Sequence, residues 1–251
     1  MLLRRITEHV KAQNWTAVAL DFVIVVVGVF MGIQVANWDA ARQGRVLGQE
    51  YIVRLHDEVE LAEARHNSIL RELNFSVQYL QEAIDVVTGS DAEPSLSQNQ
   101  CDAAFSSHIY RASQLSIPTL EELLANGRIS TLSDHALRAA ILKLAQLQNA
   151  TQANREVFQG DDIPSLSIVF PEMITLNPRV EYTRYGSGPL GGQRCDAALM
   201  RQSRAFTNSL IDNMYRMELF ITLTYSPEGE QLGEIHKLLD QRLGLTHERV
   251  D

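Results

Sequence analysis

The residue types that could carry chemistry in this chain are few and scattered. The stretch "HDEVELAEARH", His56 to His66, contains Glu63-x-x-His66, the spacing at which one helix offers two ligands to a di-metal centre. Such a centre needs a second Glu-x-x-His and two further glutamates from facing helices, and the sequence holds no second copy. His66 also falls on the apolar side of its segment, where a hydrogen-bonded core histidine is the expected role. No metal ligands are therefore assigned, and no cofactor is expected. "GSGPLG", Gly186 to Gly191, matches G-x-G-x-x-G, whose backbone N–H groups can approach a pyrophosphate at a helix N-terminus. Pro189 stiffens that loop and no further βαβ unit follows, so a flexible Gly-rich turn is the expected reading. Gly-x-Ser-x-Gly, His-Glu-x-x-His and P-loop signatures are absent. The sequence nominates no catalytic residues.

Two cysteines, Cys101 and Cys195, each open a "CDAA" at the start of an expected helix. A disulfide between them is the simpler use. The alternative is thiolate chemistry, since a helix N-terminus lowers a cysteine pKa. "LEELLANGRISTLSDHALRAAI" has the outline of a DNA-binding helix-turn-helix, with Arg138 and His135 available to base edges. Glu121, Glu122 and Asp134 stand beside them, and the net charge of −9 repels phosphate. No nucleic-acid partner is expected; Ile129 and Leu132 are expected to plug into a core.

The elements that must position these residues begin with "DFVIVVVGVFMGIQVANW", Asp21 to Trp38. Counted from Trp15 to Trp38 at about 1.5 Å per residue, the apolar run is roughly 35 Å long, enough to cross a hydrocarbon core. The two tryptophans sit at interface positions. Small residues for a signal-peptide cleavage site are missing after the run, so an uncleaved anchor over 15–38 is expected. "MELFITLTY", Met217 to Tyr225, is too short to be a second span. Arg4, Arg5 and Lys11 in residues 1–14 favour a cytoplasmic N-terminus, with residues 39–251 outside the cytoplasm and their cysteines in an oxidising compartment. Asp21, Val25, Gly28, Gly32 and Val35 share one helix face, and Gly28 and Gly32 form a G-x-x-x-G pair that lets another helix come close. That face is expected to associate with a second copy or another membrane protein, with Asp21 protonated, hydrogen-bonded or paired there; the alternative is a span that begins after Asp21 and leaves its carboxylate among the head groups.

Beyond the span, a long helix is expected from Val46 to about Val87. Its apolar stripe runs Leu55, Val59, Ala62, His66, Ile69, Leu73, Val77, Leu80, Ile84 and Val87, a near-heptad pattern. Residues 88–100 break it, and a short helix follows from Cys101. Pro118 opens the next helix and Gly127 closes it; Ser133 is the expected cap of another running toward Phe158. Residues 160–193 are rich in Pro and Gly and read as a loop, in which "LSIVF" and "RVEYTRY" look strand-like. Helix returns from Asp196 to about Tyr225. Ser226 and Pro227 are expected to start a last helix ending near Leu243. The expected fold class is mainly α: one N-terminal transmembrane helix and a helical-bundle domain with a long membrane-proximal helix.

"GIQVANW", Gly32 to Trp38, and "PTLEELLANGRISTLSDHALRAAI", Pro118 to Ile141, together resemble an uncharacterised family of bacterial single-span membrane proteins. That resemblance implies an N-terminal membrane helix, a helical extracytoplasmic domain and a place in the bacterial inner membrane, so the domain would be periplasmic. It brings no catalytic residues. The function expected is that of a membrane-anchored interaction or accessory protein of an envelope complex. The alternatives are an extracytoplasmic ligand-sensing domain that signals through a partner, and an envelope hydrolase or metalloenzyme using the 160–193 loop.

Overall fold

The computed structural model describes residues 15–110, 115–160, 163, 165–176 and 192–246, and among these the protein is mainly helical. The first helix, α1, spans Trp15–Thr88 without a break. The expected span and the expected long helix are thus one element. The joining stretch "WDAARQGRV" contains no proline, is built largely of good helix formers, and carries an i,i+4 hydrogen bond from Gln43 to Asp39 (2.8 Å). The part of α1 nearest the N-terminus is long and apolar enough to cross a membrane, and none of its apolar window is buried in protein. Packing begins at Leu47. From there Tyr51, Ile52, Leu55, Val59, His66, Leu73, Leu80, Ile84 and Val87 turn inward, and Ala62, Ile69 and Val77 pack beside them. The near-heptad stripe is the buried face.

Short helices follow, each with a local cause. Helix α2, Gln98–Ser106, starts three residues before Cys101 because Ser97 and Gln100 form a reciprocal capping box. Helix α3, Pro118–Ala125, has Pro118 at its first position and ends before Gly127, whose φ of 64° suits a residue without a Cβ. A 3₁₀ turn, Arg128–Thr131, leads to α4, His135–Gly160. The cap of α4 is Asp134, not Ser133: Asp134 Oδ1 accepts from the N–H groups of Ala136 (2.8 Å) and Leu137 (3.1 Å). The turn also buries Leu132 and half-buries Ile129 in the core, as their positions predict.

The stretch 160–193 is only partly described. Its "GSGPLG" and "RVEYTRY" segments fall within 177–191, outside the described residues. "LSIVF" is not a strand: Leu166–Val169 form one helical turn, α5, which buries Leu166 and leaves Ile168 77% exposed. A two-residue strand pair follows, β1 (Ile174–Thr175) antiparallel to β2 (Arg194–Cys195), with Ile174 opposite Cys195. Helix α6, Ala197–Gln202, and helix α7, Arg204–Phe220, are separated at Ser203, whose hydroxyl accepts from the Phe206 N–H (3.2 Å).

The last helix starts at Ser226 with Pro227 in its first turn and ends at Leu243, as expected, but Ser226 does not cap it. A π-helical turn, Ile221–Tyr225, joins α7 directly to α8, Ser226–Leu243. Pro227 has no N–H to give to the carbonyl of Leu223, four residues back. That carbonyl is instead taken by the Asn154 side-chain amide of α4 (3.2 Å). The wider π turn absorbs the proline, and the helix continues.

Helix α8 packs against both α1 and α4. Two apolar clusters result. One gathers Tyr51, Leu55 and Val59 with Leu120, Leu132, Leu137, Ile141, Leu232 and Leu239. The other gathers Leu73, Leu80 and Ile84 with Phe158, Phe206, Met214, Phe220 and Tyr225. The buried polar side chains His66, Thr151, Arg155, Thr224 and Glu228 belong to neither cluster. Arg155 Nη2 donates to Glu228 Oε2 at 2.6 Å, with side chains 7% and 1% exposed, and the Thr151 hydroxyl donates to the other Glu228 oxygen. Cys101 in α2 is bonded to Cys195 in β2, with Cα atoms 5.7 Å apart and the two positions 94 apart in sequence.

Two outcomes follow for the full chain in detergent. Arg155→Met or Glu228→Gln alone should lower the unfolding free energy by about 3–5 kcal/mol, because each strands a buried partner. The double variant Arg155→Met/Glu228→Leu should lose clearly less, as read from urea denaturation midpoints. Denatured, unreduced protein should take up no thiol-alkylating reagent, and reduction should lower its stability by roughly 4 kcal/mol, the effect of opening so long a loop.

Candidate functional site

The sequence nominates one face of the span. Gly28 and Gly32 lie in the exposed apolar part of α1, and a Cβ added at either would meet nothing within 4 Å. Val25 and Val35, on the same face, are also exposed. The backbone of Asp21 is helical, but its side chain lies outside the described residues.

A second grouping lies where α8 crosses α1, and it comes from backbone proximity. Gly229 and Gly233 stand one turn apart on α8. A Cβ on Gly229 would sit 2.9 Å from His66 Nε2, and one on Gly233 would sit 3.4 Å from Glu63 Oε1. The absence of side chains there lets α8 close on α1, opposite the two residues of the Glu63-x-x-His66 motif. The motif's residues then diverge. His66 Nε2 bonds the carbonyl of Tyr225 in the π turn (3.0 Å), and a carbonyl only accepts, so Nε2 carries the proton. Glu63 reaches the other way, and its Oε2 lies 2.5 Å from His236 Nδ1. His66 is thus the hydrogen-bonded core histidine expected of its position.

One turn beyond His236, Asp240 completes a polar cluster with His56 of α1. His56 Nε2 is 3.0 Å from Asp240 Oδ1, His236 Nε2 is 3.6 Å from the same oxygen, and the two imidazoles meet edge to face with centroids 5.3 Å apart. Asp57 Oδ1 lies 3.5 Å from His56 Nδ1. His56 is buried, whereas His236 and Asp240 are partly open to solvent. The sequence held one signal for this group. His56 and Glu63 are two turns apart on one face of α1, and His236 and Asp240 are four apart on one face of α8. Pairing Glu63 with His66 instead hides it.

Nearer the exposed apolar part of α1, Glu122 of α3 accepts from the Tyr51 hydroxyl (2.7 Å) and from Arg54 (2.8 Å). The Tyr51 hydrogen bond, then that of Arg54, holds the Glu122 carboxyl below the usual carboxylate range. Arg128 Nη1 in turn donates to the Tyr51 oxygen (3.1 Å), which ties the turn after α3 to α1. Between α4 and α7 runs an open groove of about 510 Å³, walled by Val157, Tyr215, Leu219 and Leu223.

No protein-family model, curated protein or solved structure matches the chain.

The environment of His66 sets one pH response. Burial pushes its pKa below the ordinary histidine value; its bond to the Tyr225 carbonyl and the charges of Glu228 and Glu63 oppose that, and Arg155 adds to it. His108 is depressed too, again chiefly by burial. The unfolded chain therefore binds these protons at higher pH than the folded protein. The stability they contribute is fully present above about pH 6.5 and is lost as pH falls through the depressed native values. Denaturation midpoints should drop between pH 7.5 and pH 5.5, and His66→Gln, which keeps an N–H for the Tyr225 carbonyl, should reduce that drop.

Proposed function

We propose that this protein is a membrane-anchored interaction or accessory subunit of a bacterial envelope complex, with its N-terminus in the cytoplasm and residues 39–251 in the periplasm. The observation that carries this reading is the unbroken α1. Its first part offers apolar side chains to nothing in the protein, and its second part forms the spine of a packed domain. Lipid is the medium that suits the first part, and a rigid spine suits a tether that presents a domain at a set place above it. The basic residues ahead of the span favour this orientation, and the likeness of "GIQVANW" and the Pro118 to Ile141 stretch to single-span bacterial membrane proteins supports it. Within the membrane the partner proposed is a second copy of this helix, packed across Gly28 and Gly32 with Asp21 on the same face. Lipid chains give no hydrophobic drive to helix pairing, so close backbone approach must supply it.

Crosslinking of the full chain in isolated membranes tests this. Gly28→Ile, Gly32→Ile and Asp21→Ala should each cut the crosslinked dimer several-fold while the protein stays in the membrane fraction. Unchanged crosslinking in all three sinks the association face, and a wild-type chain found in the soluble fraction sinks the anchor. Protease added to spheroplasts should digest the domain; a protected domain would reverse the orientation.

A further inference from the structure

The tether reading leaves the cluster of His56, His236, Asp240 and Glu63 without a role. One ligand atom from each of His56, His236 and Asp240 lies within 4.8 Å of the other two. Asp240 Oδ1 is 3.0 Å from His56 Nε2 and 3.6 Å from His236 Nε2. A tetrahedral ion with bonds of about 2.0–2.1 Å holds its ligand atoms roughly 3.3 Å apart. Both measured separations lie close to that edge length.

The opposite ring nitrogens strengthen the case. His236 Nδ1 faces Glu63 Oε2 at 2.5 Å, and His56 Nδ1 faces Asp57 Oδ1 at 3.5 Å. A carboxylate that holds the Nδ1 proton fixes the tautomer and leaves the Nε2 lone pair for an ion, which is how metal-binding imidazoles are commonly oriented. His236 has this arrangement, with Glu63 hydrogen-bonded at Nδ1, while the exposed Asp57 only lies near His56 Nδ1; both Nε2 atoms turn to one shared oxygen. A simple hydrogen bond between His56 and Asp240 explains one of these contacts; it does not explain why His236, held by Glu63, turns its Nε2 to the same oxygen.

We propose that His56 Nε2, His236 Nε2 and the Asp240 carboxylate bind one divalent transition-metal ion of the zinc type, with Glu63 as the positioning residue for His236. Two imidazoles and one carboxylate suit such ions; magnesium and calcium call for oxygen ligands throughout. Three protein ligands leave a coordination position, and the partial exposure of His236 and Asp240 lets water fill it. The ion would clamp α8 onto α1 between residues 184 apart in sequence. Binding to the folded state alone stabilises that state.

The test uses the full chain in detergent, stripped with chelator and then titrated with Zn²⁺ by calorimetry and with Co²⁺ by visible absorption. Wild-type protein should take up one equivalent of Zn²⁺, show the Co²⁺ ligand-field bands of a nitrogen- and oxygen-bound ion, and gain thermal stability with Zn²⁺. His236→Gln and Asp240→Asn should weaken Zn²⁺ binding at least 100-fold and abolish the thermal gain. Asp240→Asn keeps an oxygen acceptor for His56, so it decides the matter should His236→Gln lose its helical circular dichroism. Glu63→Gln should weaken binding about 10- to 100-fold, as loss of an outer carboxylate does. His135→Gln, on the exposed start of α4, should bind as wild type. Less than one equivalent bound by the wild type, or full affinity in Asp240→Asn, overturns the proposal and leaves a hydrogen-bonded cluster.

Discussion

Arg155 and Glu228 meet at 2.6 Å with both side chains buried. A buried charge without its partner is costly, so α4 and α8 must lie in the one axial register that brings the two together. A slide of either helix by one residue would rotate its charge by about 100° and strand both. Leucine-on-leucine contacts in the two apolar clusters are far more tolerant of such a slip. The ion pair, with Thr151 on its second oxygen, therefore specifies an arrangement that the clusters mainly stabilise. That arrangement carries the rest: once α4 and α8 are in register, Asn154 meets the carbonyl that Pro227 cannot serve, and the π turn points the Tyr225 carbonyl at His66.

The same register brings the glycine face of α8 onto α1. Gly229 and Gly233 are the contact, and their bareness makes room for His66 and Glu63. Seven residues beyond Gly229, His236 arrives beside Glu63, and one turn later Asp240 arrives beside His56. Polar groups at the crossing of two helices are in this way placed by small residues a turn or two away. The four described members of the cluster, His56, Glu63, His236 and Asp240, all lie on α1 and α8.

What could be read from the sequence follows the reach of each signal. Helix faces are local and periodic, and the α1 stripe from Leu55 to Val87 is the buried face in the protein. The Pro118 start and Gly127 stop are equally local and equally legible. Ser226-Pro227 correctly marks the start of α8, but the capping role does not follow, because a π turn runs straight into the helix and Asn154, from another helix, takes the Leu223 carbonyl. Asp134 displaces Ser133 as a cap because both are capping residue types, and sequence alone does not say which one turns its oxygen inward. For the His56, His236 and Asp240 group the sequence shows the two faces but not their pairing. Periodicity tells which face a residue lies on, and nothing in it tells which distant face comes opposite. The cysteines were easier, since two thiols allow a single intramolecular pairing.

An unbroken α1 also has a rotational consequence. Successive residues of an α-helix are turned by about 100° around its axis. With no hinge between the exposed apolar segment and the packed domain, the compass bearing of the Gly28 and Gly32 face relative to α8 is set by the number of residues between them. Adding a single residue near Gln43 would swing the whole domain about a quarter turn around the α1 axis, while the local structure on either side stayed the same. In a symmetric pair of such chains, the length of the linker would decide which sides of the two domains look at each other, as phase decides how two gears mesh.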